Sequence, residues 1–238
     1  MPLAPSPQPP VPVIAIDGPS ASGKGTVAQL LARQLGYRYL DSGALYRIVA
    51  LAALNKGISW QNEAALAEMT RNLDIRFEND EIMLDGVNVS EEVRTEAMSK
   101  GASEVAVHPA VRRTLLDLQH SFRKPPGLVA DGRDMGMVVF PDAALKIFLT
   151  ASAEVRAERR YKQLMTKGIR ANLLDILQDL QKRDTRDQQR LVAPLQQSAD
   201  AKLLETSQLT IEQSVERVLE MAQAVQLVPD HKHNNSSE

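Results

Sequence analysis

Gly18 and Gly23 bracket Pro19, Ser20, Ala21 and Ser22, and Lys24, Gly25 and Thr26 follow directly. Glycines at this spacing with an adjoining lysine are suited to cradle a phosphate. Successive backbone N–H groups curl around the anion, and the lysine adds a point charge over the β- and γ-phosphates. A side chain larger than hydrogen would block that approach. The slot usually filled by Ser or Thr holds Gly25, and the hydroxyl arrives one residue later as Thr26, a variant that suits small-molecule kinases better than GTPases. The loop is therefore expected to bind a nucleoside triphosphate, with Thr26 or Ser22 in reach of its Mg2+.

A second constellation begins at Leu128-Val129-Ala130-Asp131, an apolar run ending in a carboxylate, where such enzymes hold Mg2+ directly or through water. Gly132-Arg133-Asp134-Met135-Gly136 then puts an arginine and a second acid at a strand's carboxyl end, where doubly wound sheets bind ligands. Arg183, Arg186, Asp187 and Arg190 fall within about a quarter turn of a helix, beside an apolar stripe of Leu173, Ile176, Leu177 and Leu180. This basic face is positioned to meet an anion, although the same spacing also describes a solvated face laced by ion pairs.

Arg156, Arg159 and Arg160 share another helical face and are candidates for a closing lid over the triphosphate. Arginines that meet the transferring oxygens on closure supply roughly 10³ to 10⁵ in rate. Asp41-Ser42-Gly43 with Tyr46 and Arg47 marks the mouth of a helix whose first amides favour a phosphate, with Ser42 expected as cap and acceptor contact. No base is required if the acceptor is itself a phosphate monoester, whose second pKa is about 6. His108 and His120 are expected to pack or lie at the surface, and the four histidines do not resemble a metal site.

The elements that must position these groups alternate. Strands are expected at Val13–Asp17, Tyr37–Leu40, Gly127–Asp131, Leu145–Thr150 and Lys202–Glu205, and helices over Gly23–Leu35, through Leu45 to Ala52, and over Ile211–Gln226, the last opened by a Thr210/Gln213 capping box. This is an α/β chain: a three-layer α/β/α core on a parallel sheet over residues 12–62 and 103–228, with a lid near 153–172. Residues 63–102 differ, with short β-runs at Leu73–Glu78, Glu81–Leu84 and Val87–Val89 punctuated by Asn79-Asp80 and Asp85-Gly86. They are assigned to a β-rich insert able to move as a unit.

The 238 residues, 43% apolar, can bury a substantial core. A net charge of −2 gives no field for nonspecific binding to nucleic acid or acidic membranes, so anions must be met by clustered arginines. The absence of cysteine excludes disulfides, thiolate metal sites and cysteine nucleophiles. Residues 1–11 are expected to be a disordered proline-rich leader and 229–238 a frayed tail. With no cysteine, no signal peptide and no long apolar run, a cytoplasmic location is expected, and a monomer because no long exposed apolar face stands out.

Taken together, Ile16-Asp17-Gly18-Pro19-Ser20, Gly23-Lys24-Gly25-Thr26, Leu40-Asp41-Ser42-Gly43 with Tyr46-Arg47, Asp131 to Gly136, Val139-Phe140-Pro141-Asp142-Ala143, and Arg183 to Leu195 closely resemble the bacterial cytidylate kinase family. The resemblance runs from Val13 to the last helix. It implies ATP-dependent phosphorylation of CMP and dCMP on a P-loop core with a monophosphate-binding insert and a short lid. It also implies that Ser103, Arg112 and Asp134 recognise cytosine, that Arg133, Arg190 and Arg47 hold phosphate, and that Arg183 and Asp187 lie near the monophosphate's sugar and phosphate. Chemistry agrees, since cytosine's amine donates to a carboxylate while its N3 and O2 accept from arginine or hydroxyl.

Two other readings compete. One is a different small-metabolite kinase on the same core, which would need a carboxylate base near its acceptor. The other is a nucleotide-binding switch, whose GTPase form is opposed by the lack of an Asn-Lys-x-Asp guanine signature.

Overall fold

The computed structural model describes residues 10–78 and 81–227. The expected leader lies almost wholly outside these residues, as do the tail and the Asn79-Asp80 turn. Five parallel strands form the central sheet in the order β2 (Arg38–Asp41), β6 (Leu128–Gly132), β1 (Val13–Asp17), β7 (Leu145–Thr150) and β8 (Lys202–Glu205). β1 is buried along its length and feeds both faces. Val13 and Ala15 join one core with Leu40, Leu128 and Ala130, whereas Ile14 and Ile16 join a second with Val129, Ile147 and Leu149. Alternation within one strand thus builds the expected three layers.

On the second face, α1 (Lys24–Leu35) presents Val27, Ala28, Leu31 and Ala32, and α8 (Ile211–Ala224) presents Val215, Val218 and Ala222. The capping box opens α8 as the sequence predicts. On the first face, α2 (Ser42–Asn55) is apolar almost all round because it lies between the sheet and α4 (Glu96–Val105). Its cap differs from expectation. Asp41, not Ser42, accepts the Ala44 N–H at 2.9 Å, because Ser42 is already the first helical residue.

The segment assigned to an insert holds α3 (Glu63–Arg71), an antiparallel sheet of β3 (Ile75–Glu78), β4 (Glu81–Leu84) and β5 (Val87–Asn88), and a single tight turn at Glu92–Arg94. Leu66, Ile82, Leu84, Val93 and Met98 from this segment share the first core. α4 runs past the expected boundary at residue 102 and is followed by α5 (Pro109–Ser121).

After β7 come α6 (Ala153–Thr166) and α7 (Leu173–Gln188), which pack against each other. α7 ends before Arg190, so the four-residue basic face is helical only through Asp187. Pro194 disfavours a longer helix, and the Asp187 carbonyl instead accepts from Arg190 Nε at 3.4 Å and from the Leu195 N–H at 2.8 Å. Arg190 is thereby folded back under the helix end.

Candidate active site

Parallel strands place their carboxyl ends along one edge, and the register aligns Asp41 with Asp131, and Asp17 with Gly132. The loop from Gly18 to Gly23 leaves this edge. Gly18 passes so close to β7 that an added Cβ would lie 2.0 Å from the Leu149 carbonyl oxygen. Only hydrogen fits there.

The loop's own carbonyls are tied from outside. Arg156 donates to Ser20 O at 3.2 Å while gripping Asp184, and Arg159 donates to Ser22 O at 3.0 Å and to Thr206 O at 2.6 Å. With its carbonyls pulled outward, the loop is free to aim its N–H groups inward. Lys24 is buried, with Nζ donating to Pro19 O at 3.3 Å. Burial and the neighbouring Arg133 press its ammonium well below the usual lysine range, opposed by Asp131 and Asp41.

Asp131 accepts from the Tyr39 hydroxyl at 2.8 Å. Burial and Asp41 push its carboxyl above the usual range. A Cβ on Gly25 would sit 3.7 Å from Asp131 Oδ2, so glycine leaves that oxygen uncovered toward the loop. Asp41 is half-buried and pairs with Arg47 at 2.6 Å. Burial would raise its pKa, but Arg47, the Ala44 amide and Lys24 outweigh this and hold it low.

Beyond the loop lies a knot of guanidinium groups. Arg133 donates to Asp187 at 2.9 Å and to Ser20 Oγ at 2.8 Å. Burial and Arg133 press Arg183 down to about 10, and burial also lowers Arg190. Asp187 stays below the usual carboxylate range because Arg133, Arg183 and Arg190 overcome the effect of its burial. Three of the arginines have donors to spare: Arg47 Nε, Arg183 Nε and Arg190 Nη2 are buried without a partner among the described residues. Unsatisfied cationic donors in one place are costly unless an anion completes them.

Asp134 and Arg112 form a buried ion pair behind this knot, with the Arg112 guanidinium 5.7 Å from the Tyr46 ring centre. Burial raises the Asp134 carboxyl despite Arg112, Arg190 and Arg133. Ser103 is buried on α4, where its Oγ accepts from Arg186 at 2.9 Å, and Ser99 accepts from Arg183 at 2.7 Å. Two candidates stand apart from this arrangement. Thr26 is exposed on α1, and Arg160 pairs with Glu96 across to α4.

Residues 14–224 match the family model described as Cytidylate kinase. The chain is 56% identical over 213 residues to a cytidylate kinase of Bordetella bronchiseptica, covering 90% of this chain and 96% of the relative. It is 59% identical over 210 residues to a cytidylate kinase of Burkholderia pseudomallei, covering 88% and 92% respectively. The chain belongs to the cytidylate kinase family. A solved, uncharacterized protein from Eubacterium ventriosum shares the fold with a TM-score of 0.51 at 12% identity, over 90% of this chain and 99% of that one.

Several residues that support this arrangement were not singled out from sequence. Tyr39, Asp184, Thr206 and Ser99 each hold a predicted site residue, or the loop itself, from a distant point in the chain. Asp17 is another, its carboxyl raised to about 7 by burial against the pull of the Gly136 and Met135 amides. Only Asp17 carried a signal, as an acid ending an otherwise apolar strand.

Proposed function

We propose that this chain transfers the γ-phosphoryl group of ATP to CMP and dCMP by in-line displacement, with donor and acceptor lying end to end above the sheet edge. The observation that carries this reading is the set of buried guanidinium donors on Arg47, Arg183 and Arg190 that have no partner among the described residues, close to Arg133, which itself reaches the glycine loop at Ser20. They form a socket for a second phosphate beside the first.

The loop amides from Gly18 to Gly25 and the Lys24 ammonium hold the triphosphate. Arg133, Arg183 and Arg190 hold the acceptor phosphate and neutralise charge that spreads over the transferring oxygens. The acceptor oxygen is already ionised at neutral pH, so no base takes part. Asp134, Arg112 and Ser103 read the pyrimidine edge, and Asp187 accepts from a sugar hydroxyl. Ser42 and Arg47 approach the acceptor from the start of α2, while Arg156 and Arg159 serve the donor side through the loop carbonyls they hold.

Mg2+ fits this site, since Asp131 faces the space a Gly25 side chain would fill and the Ser22 hydroxyl is buried without a partner among the described residues. Asp131 and Ser22 would hold it alongside the phosphates, an all-oxygen set that suits a hard cation. When bound, it neutralises charge on the β- and γ-phosphates. Among the described residues, no helix is long and apolar enough to cross a membrane. The nucleotide substrates support a cytoplasmic location.

The test is ADP formation from ATP over a panel of nucleoside monophosphates. CMP-dependent turnover exceeding that with AMP and UMP is expected. Turnover on AMP with none on CMP, or ATP consumption indifferent to added CMP, overturns the reading.

A further inference from the structure

Asp17 ends β1, is 8% exposed, and makes no ion pair among the described residues. A carboxylate taken out of water this far must be compensated. Its two oxygens each accept one backbone amide, Oδ1 from Met135 at 2.8 Å and Oδ2 from Gly136 at 2.9 Å. These are consecutive residues, and they follow Asp134 directly. They open a wide helical turn, Met135–Val139, in which the Asp134 carbonyl accepts from the Val138 N–H at 2.9 Å.

The side chain therefore holds the backbone on the C-terminal side of Asp134 by two hydrogen bonds, charge-assisted when it is ionised, a two-point grip that fixes orientation as well as position. On the other side of Asp134, β6 pairs with β1 as far as Asp17 and Gly132. The two residues left between these anchors are Arg133 and Asp134. Next to Asp17 in the chain stands Gly18, the first residue of the triphosphate loop.

We propose that Asp17 is the positioning residue for pyrimidine discrimination, clamping the backbone that aims Asp134 at the base while its own strand carries the triphosphate loop. This rests on the reading of Asp134 as the base-recognising acid. Asp17 touches neither nucleotide; it acts through Asp134. Its removal therefore degrades the choice between bases more than it degrades donor binding.

The sharpest variant is Asp17→Asn, which keeps the size but offers one acceptor oxygen and turns an amide N–H2 toward the second backbone N–H. The structure leads us to expect KM for CMP to rise about tenfold and the CMP-to-UMP ratio of kcat/KM to fall at least tenfold, as loss of a charge-assisted bond implies. KM for ATP should stay within about twofold. A residue with a merely structural role would lower the melting temperature and slow both substrates alike, so a D17N ratio equal to wild type overturns the proposal. If wild type itself does not discriminate CMP from UMP, the reading of Asp134 fails instead, and amide exchange then judges the clamp alone. Exchange in the wild-type protein also serves if D17N does not fold: Met135 and Gly136 amides protected like those of β6 support the clamp, and rapid exchange at both overturns it.

Discussion

Arg133 and Asp187 meet at 2.9 Å across the gap between the turn after β6 and the end of α7, while the same guanidinium reaches Ser20 in the glycine loop. One side chain thus joins the glycine loop to the end of α7. Arg133→Ala is expected to lower kcat by about 10² to 10³, the range seen when one preorganised donor is removed from a transition state. Arg133→Lys should recover little, because a point charge cannot span two partners as a planar fork does. Steady-state kinetics decide it, and a kcat within threefold of wild type for the alanine variant would refute the role.

The buried Arg112–Asp134 pair predicts an asymmetry between stability and selectivity. Arg112→Met strands a buried carboxylate and should cost about 3 to 5 kcal/mol in urea denaturation. Asp134→Ala is expected to erode the preference for CMP over UMP more than it reduces turnover of bound substrate. Competition assays with both monophosphates give the ratio; an unaltered ratio contradicts the assignment.

Lys24 predicts a proton linkage. Burial and Arg133 hold its ammonium pKa low, so in the free protein it is partly neutral at a pH below the ordinary lysine value of about 10.4. A bound triphosphate adds negative charge beside it and raises that pKa. Binding of a non-hydrolysable ATP analogue near pH 8.5 should therefore take up protons, visible as a buffer-dependent enthalpy in titration calorimetry. Proton release, or uptake that persists in Lys24→Met, would argue against this account.

Thr206, at the carboxyl end of β8, and Arg159, on α6, brace the Ser22 carbonyl. Arg159→Ala should raise KM for ATP by on the order of tenfold or more, with KM for CMP nearly unchanged, since a charge-assisted bond is worth about 1.5 to 3 kcal/mol. Thr206→Val, which removes only the hydroxyl, should act in the same direction but more weakly. Equal effects on both substrates would mean general loosening rather than support of the loop.

The strands were legible because buried parallel strands are short apolar runs bounded by punctuation, and Lys202–Glu205 matches its expected bounds residue for residue. The glycine loop was legible because its spacing is local. Other features were not. Arg190 lies past the helix that spacing alone would have extended to it, since Pro194 and the Asp187 carbonyl redirect the chain. Asp41 rather than Ser42 caps α2 because two adjacent residues both suited the role and only the backbone chooses between them. The grips of Asp17 on Met135 and of Arg156 on Ser20 join residues more than a hundred positions apart, and no periodicity encodes such a meeting.

Thr206 stands 184 residues after Ser22, whose carbonyl it braces. On a ribosome adding about 5 to 20 residues per second, that interval is on the order of ten to forty seconds. Throughout this time the nascent loop is complete in sequence but lacks the support of β8 and the turn beyond it. A translation pause or truncation between residues 195 and 206 would therefore leave a polypeptide carrying every motif residue without the buttress that holds its loop.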